Sequence, residues 1–191
     1  MRNSSRIIVI AGTLLIVLGL FLLGIMFLRA DQAGRDNEDI VQKMETVITD
    51  RREGFFDPMY NAEMPSLEIG GKDFIALLEI PGYGLKLPVY SSWDKWEVTR
   101  RPCRFSGTAY NGTLIIGGYD QKGQFDFFDR IDDGTDVIIT DMSGNVFTYR
   151  TYRTDRSETA EERVLAEEAD MTLFVRDAQL LEYILVRCEL K

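Results

Sequence analysis

Between Ile7 and Leu28 the chain runs for 22 residues without a charged side chain. Wound as an α-helix at 1.5 Å per residue, that stretch is about 33 Å long, close to the apolar thickness of a bilayer. A helix apolar on every side has no polar face to turn to water, so the run reads as a membrane span. A cleavable export signal is the competing reading, but its apolar region is about 7–15 residues long and ends in small residues. Leu28-Arg29-Ala30 does not supply that ending. Arg2 and Arg6 precede the run, whereas Arg29 is soon followed by Asp31, Asp36, Glu38 and Asp39. This asymmetry places residues 1–6 in the cytoplasm, makes 7–28 a single-pass anchor at the cell membrane, and puts the C-terminal remainder outside.

Of 191 residues in all, those beyond the anchor suffice for one ordinary domain and a short connection. Setting aside Arg2 and Arg6, 20 basic residues face 31 acidic ones, a formal charge of −11 on the exported part. Nucleic acid is therefore not an expected partner, because neutralising phosphates needs the opposite sign. The chain has no histidine. It lacks the usual proton shuttle at neutral pH and the commonest metal ligand, so Ser-His-Asp and Cys-His catalysis are both excluded within it. Cys103 and Cys188 are too few for a disulfide framework or a four-thiolate zinc site. They are compatible with one disulfide or with two separate buried thiols.

Residues 29–64 read as a stalk. Ile40, Val41, Met44, Val47 and Ile48 recur at helical spacing behind Asn37, a good N-cap, and Gly54 lies where such a helix stops. The apolar stripe has two candidate partners, this same chain or a second copy of the stalk, and packing on the same chain is the simpler. From Pro65 to Lys191 the pattern changes to short β-rich runs: 74–80, 85–90, 113–118, 136–140, 146–154, 171–175 and 183–190. Turn residues separate them at Pro81-Gly82, Asn111-Gly112 and Ser143-Gly144-Asn145. Seven such runs predict an antiparallel sandwich or barrel. One helical interruption is expected over 159–169, where Thr159 and Glu162 have capping-box spacing. In the last run alternation sends Ile184, Val186, Cys188 and Leu190 to the core and Tyr183 to the opposite face.

Several segments in order resemble the sortases, membrane-anchored cysteine transpeptidases with an eight-stranded β-barrel. They are Ala76-Leu-Leu-Glu-Ile-Pro81, Leu87-Pro-Val-Tyr90, Pro102-Cys-Arg-Phe-Ser-Gly-Thr108, Leu114-Ile-Ile-Gly-Gly118, Gly123-Gln-Phe125 with Phe128, and Asp141-Met-Ser-Gly-Asn-Val-Phe-Thr-Tyr149. Thr172-Leu-Phe174 and Val186-Arg-Cys-Glu189 complete the series. The resemblance implies a mostly β chain: a sortase-like eight-stranded barrel over 65–191 with short helices, behind an N-terminal transmembrane helix. It also implies a groove in which Cys attacks the Thr carbonyl of a Leu-Pro-X-Thr-Gly-like sorting signal, His handles the proton and Arg stabilises the oxyanion.

Matched to those motifs, the His position holds Tyr119, the Cys position Arg176 and the Arg position Tyr183. A free thiol with pKa about 8.5 gives a useful thiolate, whereas a guanidinium stays protonated and cannot attack a carbonyl. Tyrosine, with pKa about 10, is a poor proton shuttle at neutral pH and brings no fixed positive charge to an oxyanion. The expectation is a pseudo-sortase: no catalytic residue, no cofactor, and a role as a binding, accessory or scaffolding module at the surface of a Gram-positive cell. An extended peptide or a cell-surface protein is the expected partner, with self-association through the stalk as a further option. The competing reading is an active transpeptidase using a displaced cysteine, since fold alone does not decide function. Two arrangements of the trio are open, one with Arg176 held between the two tyrosine rings by cation-π contacts of about 0.5–2 kcal/mol and one with all three side chains in water.

Trp93 and Trp96, three apart, and Asp120 are candidates for the groove, although such aromatics more often cover a core edge. Asp120, Asp126, Asp129, Asp132, Asp133, Asp136 and Asp141 invite a calcium reading, but an EF-hand loop starting at Asp129 would have Ile131 at a ligand position and Thr140 in place of its Glu. They are read as acidic turns, and no metal is expected. Gly117, Gly118 and Gly123 lack the Gly-Lys-Ser/Thr of a phosphate-binding loop.

Overall fold

A computed structural model of the chain describes residues 2–51, 63–161, 165, 169–177 and 181–191. It divides into two compact units, Met1–Asp36 and Asn37–Lys191. One helix, α1 (Arg2–Arg51), runs through the boundary. In the first unit the large apolar side chains Leu14 to Leu18 and Leu20 to Leu23 are all exposed. The expected span 7–28 lies partly outside the residues whose side chains are described, and among the described residues no helix is long and apolar enough to cross a membrane.

The second unit is built from nine strands: β1 (Leu67–Ile69), β2 (Lys72–Ile80), β3 (Leu85–Tyr90), β4 (Cys103–Ser106), β5 (Leu114–Tyr119), β6 (Asp136–Asp141), β7 (Val146–Ser157), β8 (Met171–Arg176) and β9 (Tyr183–Leu190). Their order is β1-β2-β3-β4-β5-β8-β9-β7-β6, and β6 pairs back onto β2 through Ala76↔Asp141 to Glu79↔Ile138. That pairing closes eight strands, β2 to β9, into a barrel, while β1 extends the same edge of β2 as a short hairpin. All seven expected strands are present. β1 and β4 lie outside the seven runs, being only three and four residues long; runs that short carry little periodicity.

The barrel interior is filled by the inward half of each strand's alternation, including Leu78, Ile80, Leu114, Ile116, Ile139, Leu173, Val175, Ile184, Val186 and Cys188. Cys188 faces this core as the alternation required, but Leu190 is 48% exposed because β9 outlasts the core. Two adjacent glycines serve opposite faces of β5. A Cβ on Gly118 would lie 2.2 Å from the Phe125 ring on the core side, and one on Gly117 would lie 2.4 Å from the Trp93 ring on the outer side.

Asn37 is not an N-cap. α1 passes through it unbroken, and its amide Nδ2 instead donates to the Arg100 carbonyl at 2.8 Å, with the residue 5% exposed. The lateral hydrogen bond uses the side chain that capping would have used. The apolar stripe packs on the same chain, with Ile40, Met44 and Ile48 against Phe74, Leu77 and Met142. Beside it, Lys86 of β3 bridges Glu45 of the helix and Glu79 of β2. Partial burial works against the Lys86 charge, but the two carboxylates outweigh it and raise the ammonium above its ordinary value. Gly54 lies outside the described residues, as does most of the helix expected over 159–169. Leu165 within it is helical, fully buried, and donates its N–H to the Glu161 carbonyl at 3.0 Å.

Candidate functional site

Three neighbouring strands, β5, β8 and β9, carry the residues singled out by the sequence. Parallel pairing sets Tyr119 opposite Arg176, and antiparallel pairing sets Arg176 opposite Tyr183. The three side chains therefore leave one face of the sheet in a single row, with strands about 4.8 Å apart. Because side chains alternate, the next row on that face is Gly117, Phe174 and Leu185, and the one beyond is Ile115, Thr172 and Arg187.

Tyr119 and Arg176 are exposed and Tyr183 is half-buried. Among the described residues, cation-π contacts join Lys95 to Trp96, Arg101 to Phe74 and Arg153 to Tyr152. Arg176 lies over neither tyrosine, so the stacked arrangement is not the one adopted. Tyr183 is drawn edge-on toward Phe174, with centroids 6.2 Å apart and planes at 61°. Burying ring area there competes with offering a face to a hydrated guanidinium.

The middle row is filled from within. Trp93 stacks on Phe174 at 5.6 Å and 25°, and Phe105 meets both rings edge-on at 5.4 and 5.5 Å. The absence of a side chain at Gly117 is what admits Trp93. Trp93 is still 42% exposed; Trp96 is 70% exposed and takes no part in this cluster. At the far row Arg187 is 1% exposed. Its Nε donates to Asp155 Oδ2 at 3.0 Å, and its Nη1 to the Leu165 carbonyl at 2.6 Å and to Thr172 Oγ1 at 3.1 Å. A buried guanidinium thus holds Leu165 against the sheet, where it packs on Ile115, Phe174 and Leu185. Phe105, Gly117, Phe174 and Arg187 were not singled out as site residues from sequence; continuing the period of two inward from Tyr119, Arg176 and Tyr183 would have found three of them.

Both thiols are free and fully buried. Cys188 faces the barrel interior, and burial pushes its thiol up. Cys103 pairs with Gly117 in the β4–β5 register, two strands from Arg176, with its Sγ 3.6 Å from the Arg101 carbonyl. Burial, with the nearby carboxylates of Glu97 and Asp94, pushes it up to about 12.

Asp120 follows Tyr119 but belongs to a different place, a cavity of about 230 Å³ lined also by Asp126, Asp129, Arg130 and Asp177. Partial withdrawal from water, then the charges of Asp177, Asp129 and Asp126, raise its carboxyl above the ordinary range. Arg156 and Arg130 pair with Asp177 and Asp129, each at 3.2 Å. Among the described residues no three His, Cys, Asp or Glu side chains converge as a metal site. Asp141 serves the β6–β7 turn, accepting from Tyr110 Oη at 2.6 Å, the Ser143 N–H at 2.8 Å, and the Asn145 N–H and Nδ2 at 2.9 and 2.8 Å.

A closed barrel of this strand order, with β5, β8 and β9 side by side, defines a class of protein. The family model described as Sortase domain matches residues 78–181, more than half of the chain. The chain belongs to the sortase family. Solved structures similar to it include sortase A from Corynebacterium diphtheriae, 18% identical over 85% of this chain and 92% of that one, with a TM-score of 0.56. Sortase C from Clostridium perfringens SM101 is 17% identical over 79% and 89%, with a TM-score of 0.55. Streptococcus pneumoniae sortase C is 16% identical over 80% and 96%, with a TM-score of 0.60. No curated protein sequence matches.

Proposed function

We propose that this chain is a pseudo-sortase, a membrane-anchored, extracytoplasmic sortase-fold protein that has lost transpeptidation and acts as a binding, accessory or scaffolding module. The observation that carries the reading is the row Tyr119, Arg176, Tyr183: in the register where the resemblance puts imidazole, thiol and guanidinium, the chain has phenol, guanidinium and phenol. Both thiols are buried and shifted away from the thiolate that acyl transfer needs. Anchoring by 7–28 is supported by the 22 uncharged residues and by the exposed apolar side chains between Leu14 and Leu23, which in water would be a costly patch. Arg2 and Arg6 favour a cytoplasmic N-terminus. An extended peptide or a cell-surface protein is the proposed partner, because recognition through pockets and backbone needs no nucleophile.

The test is turnover. The full chain in detergent is incubated with quenched fluorescent peptides of several sorting-signal types and an amine acceptor. No cleavage above the peptide blank is expected. Turnover that disappears in Cys103→Ala or Cys188→Ala refutes the proposal.

A further inference from the structure

β3 and β4 pair through a single residue couple, Tyr90↔Cys103, and then part. Into the gap opens a pocket of about 380 Å³, lined by neither Tyr119, Arg176 nor Tyr183, so it is a place distinct from the altered row. Its volume is at the lower end of small-ligand sites, about 300–1,000 Å³. We infer that this pocket is a saccharide-binding site for one or two neutral sugar rings.

The chemistry of the lining carries the inference. Ser91, Ser92 and Ser106 present hydroxyls, Asn111 an amide and Arg104 a guanidinium. Arg104 Nε is committed to the Ser91 carbonyl at 2.8 Å, leaving its terminal nitrogens as donors. Asn111 Oδ1 accepts from Thr113 Oγ1 at 2.5 Å, leaving the amide N–H groups. Hydroxyls that both donate and accept, next to an amide and a guanidinium that donate, match the hydroxyls of a sugar, which do both. Glu63 also lines the pocket and balances Arg104, so no net charge selects an anion or a cation.

The aromatic part of the wall is Trp93 with Phe105. Phe174 holds Trp93 by stacking and Phe105 by its edge, so the ring is fixed before any ligand arrives, and 42% of the residue stays open. A fixed aromatic surface beside a polar rim suits a pyranose, whose C–H face is apolar and whose edge is polar. The turn closing the pocket is equally set. Gly107 has φ +73°, and a Cβ there would fall 1.8 Å from the Thr113 carbonyl oxygen. Only glycine fits, and this turn carries Asn111 and Thr113 to the pocket wall.

The experiment is a fluorescence titration of the full chain in a sugar-free zwitterionic detergent, with Trp96→Phe as background so that emission reports Trp93. The probes are the trisaccharides of β1,4-linked N-acetylglucosamine, β1,4-linked glucose and α1,4-linked glucose, and a penta-alanine peptide. At least one sugar is expected to give a saturable change, half-complete on the order of 1 mM. Ser92→Phe, which fills the mouth from an exposed position, and independently Arg104→Met should each weaken it at least tenfold with an unchanged far-UV spectrum. The inference is overturned if no sugar moves the signal at tens of millimolar, if both variants titrate like the parent, or if the peptide alone binds. Peptide turnover in the same preparations reports separately on the pseudo-sortase reading, which stands or falls without this result.

Discussion

Gly117→Ala tests the claim that the protein's own rings fill the middle row of this sheet face. A Cβ there would lie 2.4 Å from Trp93 Cζ3 and 2.6 Å from Phe174 Cζ, well inside the contact distance of about 3.5–4.0 Å. Both rings must move, and overpacking of this kind costs about 1–3 kcal/mol. The backbone at 117 is not in the left-handed region, so restricting the unfolded chain returns about 0.4–1 kcal/mol. A net loss of about 1–2 kcal/mol remains. With a urea dependence of about 1–3 kcal/mol per molar, the midpoint falls by roughly 1 M. Trp93 emission in a Trp96→Phe background should shift to the red as the ring leaves Phe174. In Gly117→Ala/Trp93→Ala part of the clash is gone, so the two losses should combine less than additively, with a coupling of about 0.5–3 kcal/mol. A Gly117→Ala protein as stable as its parent, with unchanged emission, would refute the reasoning, and so would strict additivity.

Arg176→Ala should leave stability within about 0.5 kcal/mol of the parent by urea unfolding, since the guanidinium is exposed and surface substitutions away from packed or paired groups change little. Asp141→Ala should lower stability by roughly 3 kcal/mol, because four donors lose one buried acceptor. Asp120 has a raised carboxyl pKa in the folded state, so its contribution to stability falls as pH rises through the window between its unfolded and folded values and stays unfavourable above it. Asp120→Asn should therefore be more stable than the parent at neutral pH, and the advantage should vanish on acidification below the ordinary carboxylate range, as thermal unfolding across pH will show. With Cys103 pushed up to about 12 and Cys188 also raised, neither thiol should react with a disulfide reagent at pH 7.5 until urea unfolds the domain.

The strands that build the barrel were legible because each buries one face, and burial on one face enforces a period of two. The row of Tyr119, Arg176 and Tyr183 was legible for a different reason: motif order aligned three positions that register then set side by side. The features that escaped sequence reading depend on contacts between distant segments. Trp93 reaches Phe174 across 81 positions only because Gly117 leaves room, and nothing local to either aromatic announces the other. Asn37 has every attribute of a cap, yet its amide is drawn to the Arg100 carbonyl, a choice set by how the helix seats on Phe74, Leu77 and Met142. The pocket at the β3–β4 gap depends on where two strands stop pairing, and its serines have no pattern of their own.

Loss of transpeptidation is read from the intact mass of the full chain after incubation with a sorting-signal peptide and no acceptor, quenched in acid to preserve any thioester. The unmodified mass is expected. Equally, Tyr119→His, Arg176→Cys and Tyr183→Arg introduced together should give a protein that gains the acyl mass on residue 176. An acyl adduct on Cys103 or Cys188 of the unaltered chain would contradict that loss.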